Sequence, residues 1–355
     1  MSRLAWLIVG LSIWSSAVAQ EPYVLKFATL APRGSSWMNV LSTWADTVRA
    51  KSDGRLIVKL YPGGVAGDES DVLLKMRFGQ IQGAAFTGHG IGEIYFPARV
   101  MEIPFLFRSY DEIDYVRARL MPEFRAGFRR NGFELVGWAE VGPVRLFSKY
   151  PIRSFDDMKN LRIWLWQGDP LAQAFFSASG LSPIPLSITE VYTSLSTGLI
   201  NTVYAPALGA IAMQWFTKTQ YVTDFPMADA IGALVVQRQF FDRLPADLQA
   251  LLLQTGGIAG RELIKVSRTD NRKSLQVLRK YGLKFVLPWK QVNHQQFYTL
   301  RDRVVQLLEK RGLLPVALVD QVQADLSRYR ARHKTTGQDP NGGFGISSAV
   351  TSPAR

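Results

Sequence analysis

The chain of 355 residues contains no cysteine, which excludes disulfides, thiolate metal sites, a cysteine nucleophile and a thiol-anchored lipid. Histidine is almost as scarce. His89, His294 and His333 stand far apart and show no metal-ligand spacing, so no metal and no other cofactor is expected. No G-x-S-x-G elbow, no H-E-x-x-H helix and no complete phosphate loop occurs, and nothing pairs a nucleophile with its base. The one tight acidic group, Asp68, Glu69 and Asp71, is accounted for by a helix N-terminus, where carboxylates complement the macrodipole. The chain therefore reads as a protein that is not an enzyme. Beyond the first residues, no apolar run approaches the roughly 18 to 20 residues that a membrane span needs, so the exported chain is expected to be soluble.

Residues 1–19 carry Arg3, the apolar run Leu4 to Trp14 and Ala17-Val18-Ala19, the pattern of a cleavable secretory signal. The mature chain is expected to start near Gln20, in the periplasm. Its net charge falls from +13 to +12 with the loss of Arg3. The basic residues are scattered over helix-like faces, and an exported chain has no nucleic acid to meet. A length well above the roughly 100 to 200 residues of one domain, with 47% apolar residues to fill cores, predicts two lobes.

In chain order, Tyr23 to Thr29, Leu56 to Tyr61 and Gly83 to Thr87 read as strands, separated by helices after Ser35 or Ser36 and around Ser70 to Phe78. This rhythm predicts a mainly parallel sheet with helices on both faces. The glycine-rich stretch Thr87 to Glu93 has Glu93 where a dinucleotide fingerprint needs its third glycine, and it is read as a loop that lets backbone approach a ligand. Phe96 to Phe107 reads as a core-lining connector. Glu134 to Val141 and Val144 to Ser148 are separate strands in this reading, with the chain crossing between lobes at Gly142-Pro143 and recrossing near Ala228. Leu244 to Tyr281 is a nearly unbroken helical pattern, interrupted by Gly256, Gly257 and Gly260, that would reach across both lobes. The expected division is 20–143 with 229–281 in lobe I, 144–228 with 282–334 in lobe II, and a disordered tail over 335–355.

Asn160 to Pro170, NLRIWLWQGDP, packs a strand, a turn and a helix start into eleven residues. Leu161, Ile163 and Leu165 alternate with Arg162, Trp164 and Trp166, and Asp169-Pro170 is a helix cap followed by a tolerated proline. Ligands of open α/β sheets sit beyond the carboxyl ends of strands. That places the candidate site at Trp164, Trp166 and Gln167, with Tyr204 and Ala205 at a second strand end, Phe86 and Thr87 at a third, and Trp37 and Arg145 beside them. The aromatics at these strand ends suit core packing or ligand contact equally. Arg145, inside a strand pattern, needs either a ligand anion or a structural carboxylate.

LKFATLAPRGSSW, VKLYPGGVAGDE, FDDMKNLRIWLWQGDP, Pro183 to Tyr192 and GLINTVYAP together resemble the periplasmic solute-binding proteins of TRAP transporters, the DctP-like family, over almost all of Tyr23 to Arg332. The resemblance implies two α/β lobes of the periplasmic binding protein fold, a long helix spanning both, a small-molecule ligand enclosed between them, and delivery to the membrane permease subunits of the transporter. Many relatives place in the strand after an L-K-G-L-K-like stretch an arginine that grips the ligand carboxylate through its planar guanidinium. Trp164 stands at that position here, and Ala205 stands where many relatives carry a polar amide. The W-x-W-x-G-D-P run thus resembles a divergent branch, for which the likeness implies a partly apolar organic ligand, at most a monocarboxylate, and a helical-repeat periplasmic partner.

Overall fold

The computed structural model of the protein describes residues 21–288, 293–333 and 344. The export signal and nearly all of the expected tail lie outside the described residues. Phe344 departs from the expectation of a disordered tail: it is buried and meets the Tyr110 ring edge-on at 5.0 Å. Among the described residues no helix is long and apolar enough to cross a membrane.

The first third alternates strands and helices as the pattern predicts: β1 (Tyr23–Thr29), α1 (Ser36–Lys51), β2 (Leu56–Tyr61), α2 (Glu69–Arg77) and β3 (Gly83–Thr87). Leu25 and Phe27 of β1 are buried while Lys26 is exposed, the two-residue period of a strand, and only toward its end is the other face covered as well, at Ala28. Gly88–Tyr95 is a helix, α3, rather than the loop read from its glycines. Its glycines serve close packing: a Cβ on Gly88 would fall 2.0 Å from Glu102 Oε2, and one on Gly90 would fall 2.4 Å from the Phe86 ring. Phe96–Glu102 is a 3-10 turn, followed by α4 (Tyr110–Arg130).

β4 (Phe133–Ser148) runs unbroken through the expected crossing at Gly142-Pro143. After it come β5 (Trp164–Trp166), α5 (Pro170–Ser179), β6 (Ile184–Leu186), α6 (Val191–Thr197), β7 (Thr202–Pro206), α7 (Ala207–Ala212), β8 (Tyr221–Thr223) and β9 (Ala228–Gln237). The chain closes with α8 (Arg238–Asp242), α9 (Ala246–Lys280), β10 (Lys284–Val286), α10 (His294–Lys310) and α11 (Val316–His333).

Eight strands form one mixed sheet in the order β10-β8-β4-β9-β3-β1-β2, with β7 also paired to β4, while β5 and β6 pair separately. The pairs β1 with β2 and β1 with β3 are parallel, as expected, but the long strands β4 and β9 run antiparallel to all their neighbours. β4 pairs β9 from Phe133 to Val144 and β7 and β8 from Val144 to Ser148, so its two ends join different sets of strands. A register shift between Glu140 and Gly142 lies beside the expected crossing.

α9 is continuous over 35 residues, roughly 52 Å at 1.5 Å per residue. The glycines that suggested interruptions bring it onto β4: a Cβ on Gly256 would meet Val136 O at 2.8 Å, and one on Gly260 would meet Trp138 O at 2.4 Å. Leu248, Leu252 and Leu263 of α9 join the core beneath α1, and Leu275 and Leu278 join the larger core that holds Trp164 and Phe225. Arg268 of α9 ties that helix to β4 and α4, donating to Glu140 and Asp114 at 2.7 to 2.8 Å.

Candidate functional site

Beyond the carboxyl ends of β1, β3 and β7, facing β5 and the first turns of α5 and α7, lies a cavity of about 240 Å³. An engineered apolar cavity of about 150 Å³ takes up benzene, so this one has room for a ring with a short substituent, roughly ten non-hydrogen atoms. Leu30, Trp37, Leu146, Trp164, Phe175 and Trp215 give its wall an apolar character.

The alternation read in the sequence survives in β5: Trp164 and Trp166 line the cavity and Leu165 does not. Trp164 is 1% exposed, stacks on Tyr204 at 4.9 Å and meets Trp215 edge-on at 5.3 Å. Its indole donor is already used on Leu186 O at 3.0 Å, so the ring offers a solute only apolar surface. Trp166 stacks on His89 at 4.7 Å and donates Nε1 to Asp68 at 3.1 and 3.2 Å. Asp68 also caps α2 and accepts from Ser187 Oγ at 2.5 Å and Ile188 N at 3.0 Å, which ties the start of α2 to the β6 side of the cavity. Trp37 donates to Ser267 of α9 at 2.7 Å, and its ring fits where Gly232 has no Cβ.

Of the residues the sequence singles out, Trp164, Trp166, Tyr204, Ala205, Thr87 and Trp37 line this one cavity, and Gln167, Phe86 and Arg145 do not. Gln167 is exposed at the turn that Gly168, with φ 83°, makes before α5. Phe86 is buried behind the wall under Gly90. Arg145 is buried on the far side of β4 and donates to Thr223 O at 2.7 Å. Arg162 is exposed and spans to Gly198 O at 2.9 and 3.1 Å.

Sequence reasoning missed the guanidinium that does reach the cavity. Arg99, 5% exposed, donates to both oxygens of Asp169 at 3.2 and 3.0 Å, and its Nε contacts Glu102. Burial alone would favour its neutral form, but Asp169 and Glu102 outweigh that and raise its affinity for the proton. Burial pushes the Asp169 carboxyl up and Arg99 more than offsets this, holding it below the usual carboxylate range. Asp169 also accepts from Leu171 N and Ala172 N, so the start of α5 is occupied by its own cap. The signal was present: Arg99 and Glu102 are the only charges in the apolar stretch 96–107, and three residues apart they share a face of the 3-10 turn. Among the described residues no group of His, Asp or Glu side chains is arranged to hold a metal ion.

Glu69, 2% exposed, organises the turn from β3 into α3 by accepting from Thr87 N at 2.7 Å, Thr87 Oγ1 at 3.1 Å and Gly90 N at 2.7 Å. Burial pushes its carboxyl up to about 7, against the pull of His89 and those amides. Since the folded value lies above the ordinary 4.5, the folded state keeps a proton that the unfolded chain releases. The resulting stability is present below pH 4.5 and is lost as pH rises to about 7. Urea unfolding at several pH values is expected to show the native protein losing up to about 3 kcal/mol over this window relative to Glu69→Gln. Parallel profiles for the two proteins would refute it.

The model of the DctP family, bacterial extracellular solute-binding protein family 7, matches residues 27–311. A solute-binding protein of Sulfitobacter sp. (strain NAS-14.1) is 27% identical over 281 residues, 77% of this chain and 84% of that protein. The 2,3-diketo-L-gulonate-binding periplasmic protein YiaO of Escherichia coli K12 is 23% identical over 292 residues, 79% and 86% of the two chains. Among solved structures, a TRAP periplasmic solute binding protein from Ralstonia eutropha H16 with bound (S)-2-acetolactate superposes with a TM-score of 0.76 at 20% identity, covering 87% of this chain and all of that one.

Proposed function

Since the chain belongs to family 7 of the bacterial extracellular solute-binding proteins, we propose that it is the receptor of a TRAP-type transporter that encloses a small, mainly apolar organic solute and delivers it to the membrane permease subunits. The observation that carries this reading is a mainly apolar cavity whose guanidinium, Arg99, is already gripped in bidentate fashion by Asp169. A ligand dicarboxylate would have to displace one buried ion pair to make another, with little net gain. An apolar solute needs no such exchange and gains about 25 cal/mol per Å² buried. The lobes in this proposal are 20–143 with 229–281 and 144–228 with 282–334, joined through β4 and β9 and braced by α9. A helical-repeat periplasmic partner belongs to the same proposal.

Ser70, His89 and Glu93 are the residue types of a hydrolase triad, yet their arrangement argues against one. Ser70 Oγ and Glu93 Oε1 both lie 3.1 Å from the same nitrogen, Nε2, so the carboxylate cannot orient the imidazole toward the serine. Native mass spectrometry of protein purified from its source is expected to show one small molecule of low polarity, released unchanged. A sugar acid or dicarboxylate as the bound species, or a molecule altered on release, would overturn the reading.

A further inference from the structure

One carboxylate fastens the α2 side of the cavity to the β5–β6 side. Asp68, 8% exposed, divides its two oxygens between different tasks. Oδ1 caps α2 by accepting from Glu69 N at 2.6 Å and shares the indole N–H of Trp166. Oδ2 accepts from Ser187 Oγ at 2.5 Å and from Ile188 N at 3.0 Å, 119 and 120 residues further along the chain. A cap asks for one oxygen, so the second is spent wholly on the opposite side. The loop before α2 rests there too: a Cβ on Gly64 would lie 3.9 Å from the Thr189 methyl group. Trp166 and Ile188 are themselves wall residues of the cavity, so what Asp68 holds is part of the solute's enclosure.

We propose that Asp68 is the catch of the receptor: the solute leaves only when this carboxylate releases Trp166, Ser187 and Ile188, and those bonds set how long it is held. This rests on the receptor reading given above, in which Asp68 belongs to lobe I and all three partners to lobe II, and adds the residue that governs release. Hydrogen bonds to a carboxylate are about twice as strong as those between neutral groups, and burial keeps water from competing for them. The place of the catch suits its task. Ser187 and Ile188 are half-buried and Thr189 beside them is exposed, so these contacts lie where solvent can enter as the two sides part. The other polar tie across the cavity, Arg99 to Asp169, is buried at both ends, and the stacking of Trp166 on His89 adds only a ring contact. Once parted, Asp68 and its donors regain water, so the barrier to release is the net worth of the bonds and not their full strength.

Two substitutions separate the catch from the cap. Serine caps a helix as well as aspartate but has a single oxygen on a shorter side chain, so Asp68→Ser keeps the start of α2 and withdraws from all three partners. Asp71→Ala is the control: Asp71 is exposed and accepts from Asp68 N at 3.0 Å in the same capping box, so its loss loosens α2 and leaves the catch in place. The native protein and both variants, purified from the source cell with cargo in place, are diluted into cargo-free buffer, and native mass spectrometry follows the fraction still loaded. Asp68→Ser should lose cargo about tenfold to a hundredfold faster than the native protein, the worth of one hydrogen bond to a charged group. Asp71→Ala should release it at a rate within about threefold of the native one. An Asp68→Ser protein that emerges already emptied beside a loaded Asp71→Ala supports the catch equally. Because the chain has no cysteine, spin labels at Val65→Cys and Thr193→Cys, both exposed and on opposite sides of the catch, report the opening itself. The native protein and Asp71→Ala should show one label distance, and Asp68→Ser an added longer one. Release from Asp68→Ser at the native rate, release from Asp71→Ala as fast as from Asp68→Ser, or label distances unchanged in Asp68→Ser would overturn the catch and leave the receptor reading standing. Native protein that carries no small molecule would overturn the receptor reading itself, and the catch with it.

Discussion

Replacing Arg99 with methionine is expected to lower the unfolding free energy by about 3 to 5 kcal/mol, because it removes the shared cation from two buried carboxylates. Asp169 and Glu102 are 5% and 7% exposed, and neither can turn to water. Much of the loss should return in the combination Arg99→Met, Asp169→Asn, Glu102→Gln. There the charges are gone, while the asparagine still caps α5 at Leu171 N and Ala172 N. Urea denaturation of the native protein, the single variant and the triple variant checks this. A single-variant loss under about 1 kcal/mol would show that the ion pair is dispensable, and a triple variant no more stable than the single would assign the loss to packing instead of charge.

Trp164→Ala is expected to weaken solute binding about a hundredfold, and Arg162→Ala to change it less than threefold. Tyr204 and Trp215 hold the indole in place, and its one donor is committed to Leu186, so its contribution is apolar area. A solute covering about 100 Å² of that face gains about 2.5 kcal/mol, close to two decades of affinity. The substitution also opens a void in the core, costing about 3 to 5 kcal/mol of stability, so affinity must be read on folded protein only. Arg162 points outward to Gly198 O and touches no part of the cavity. Calorimetry with phenylacetate on both variants decides the matter. Comparable losses, or a larger loss for Arg162→Ala, would place the binding surface elsewhere.

Local pattern gave the start of the fold readily, because β1, α1, β2, α2 and β3 each carry one clean period and a stop. α1 begins at Ser35 and α5 at Asp169, both as their capping chemistry predicts. Readings went astray where tertiary packing decides. The glycines of α3 and α9 read as loop and interruptions, but their role is close approach to Phe86, Glu102 and the β4 backbone, which lies far away in sequence. Gly142-Pro143 looked like a break, yet β9 pairs with β4 on both sides of it. At the cavity, Trp164, Trp166 and Tyr204 were legible because strand ends can be read from alternation. Arg99 was not, since its meaning depends on Asp169, which approaches from a segment seventy residues away.

The unbroken β4 bears on how such a receptor can be altered. A strand of 16 residues pairs with β9 up to Val144 and with β7 and β8 from there to Ser148, and α9 sends leucines into both cores. No cut in the gene between the lobes leaves two complete pieces, since each would keep half a strand and an exposed sheet edge. Recombination that exchanges whole lobes between relatives is closed to this architecture. A new solute preference has to arise by point substitution in the wall, at side chains such as Trp164, Trp166 and His89, with the crossing strand and brace left untouched.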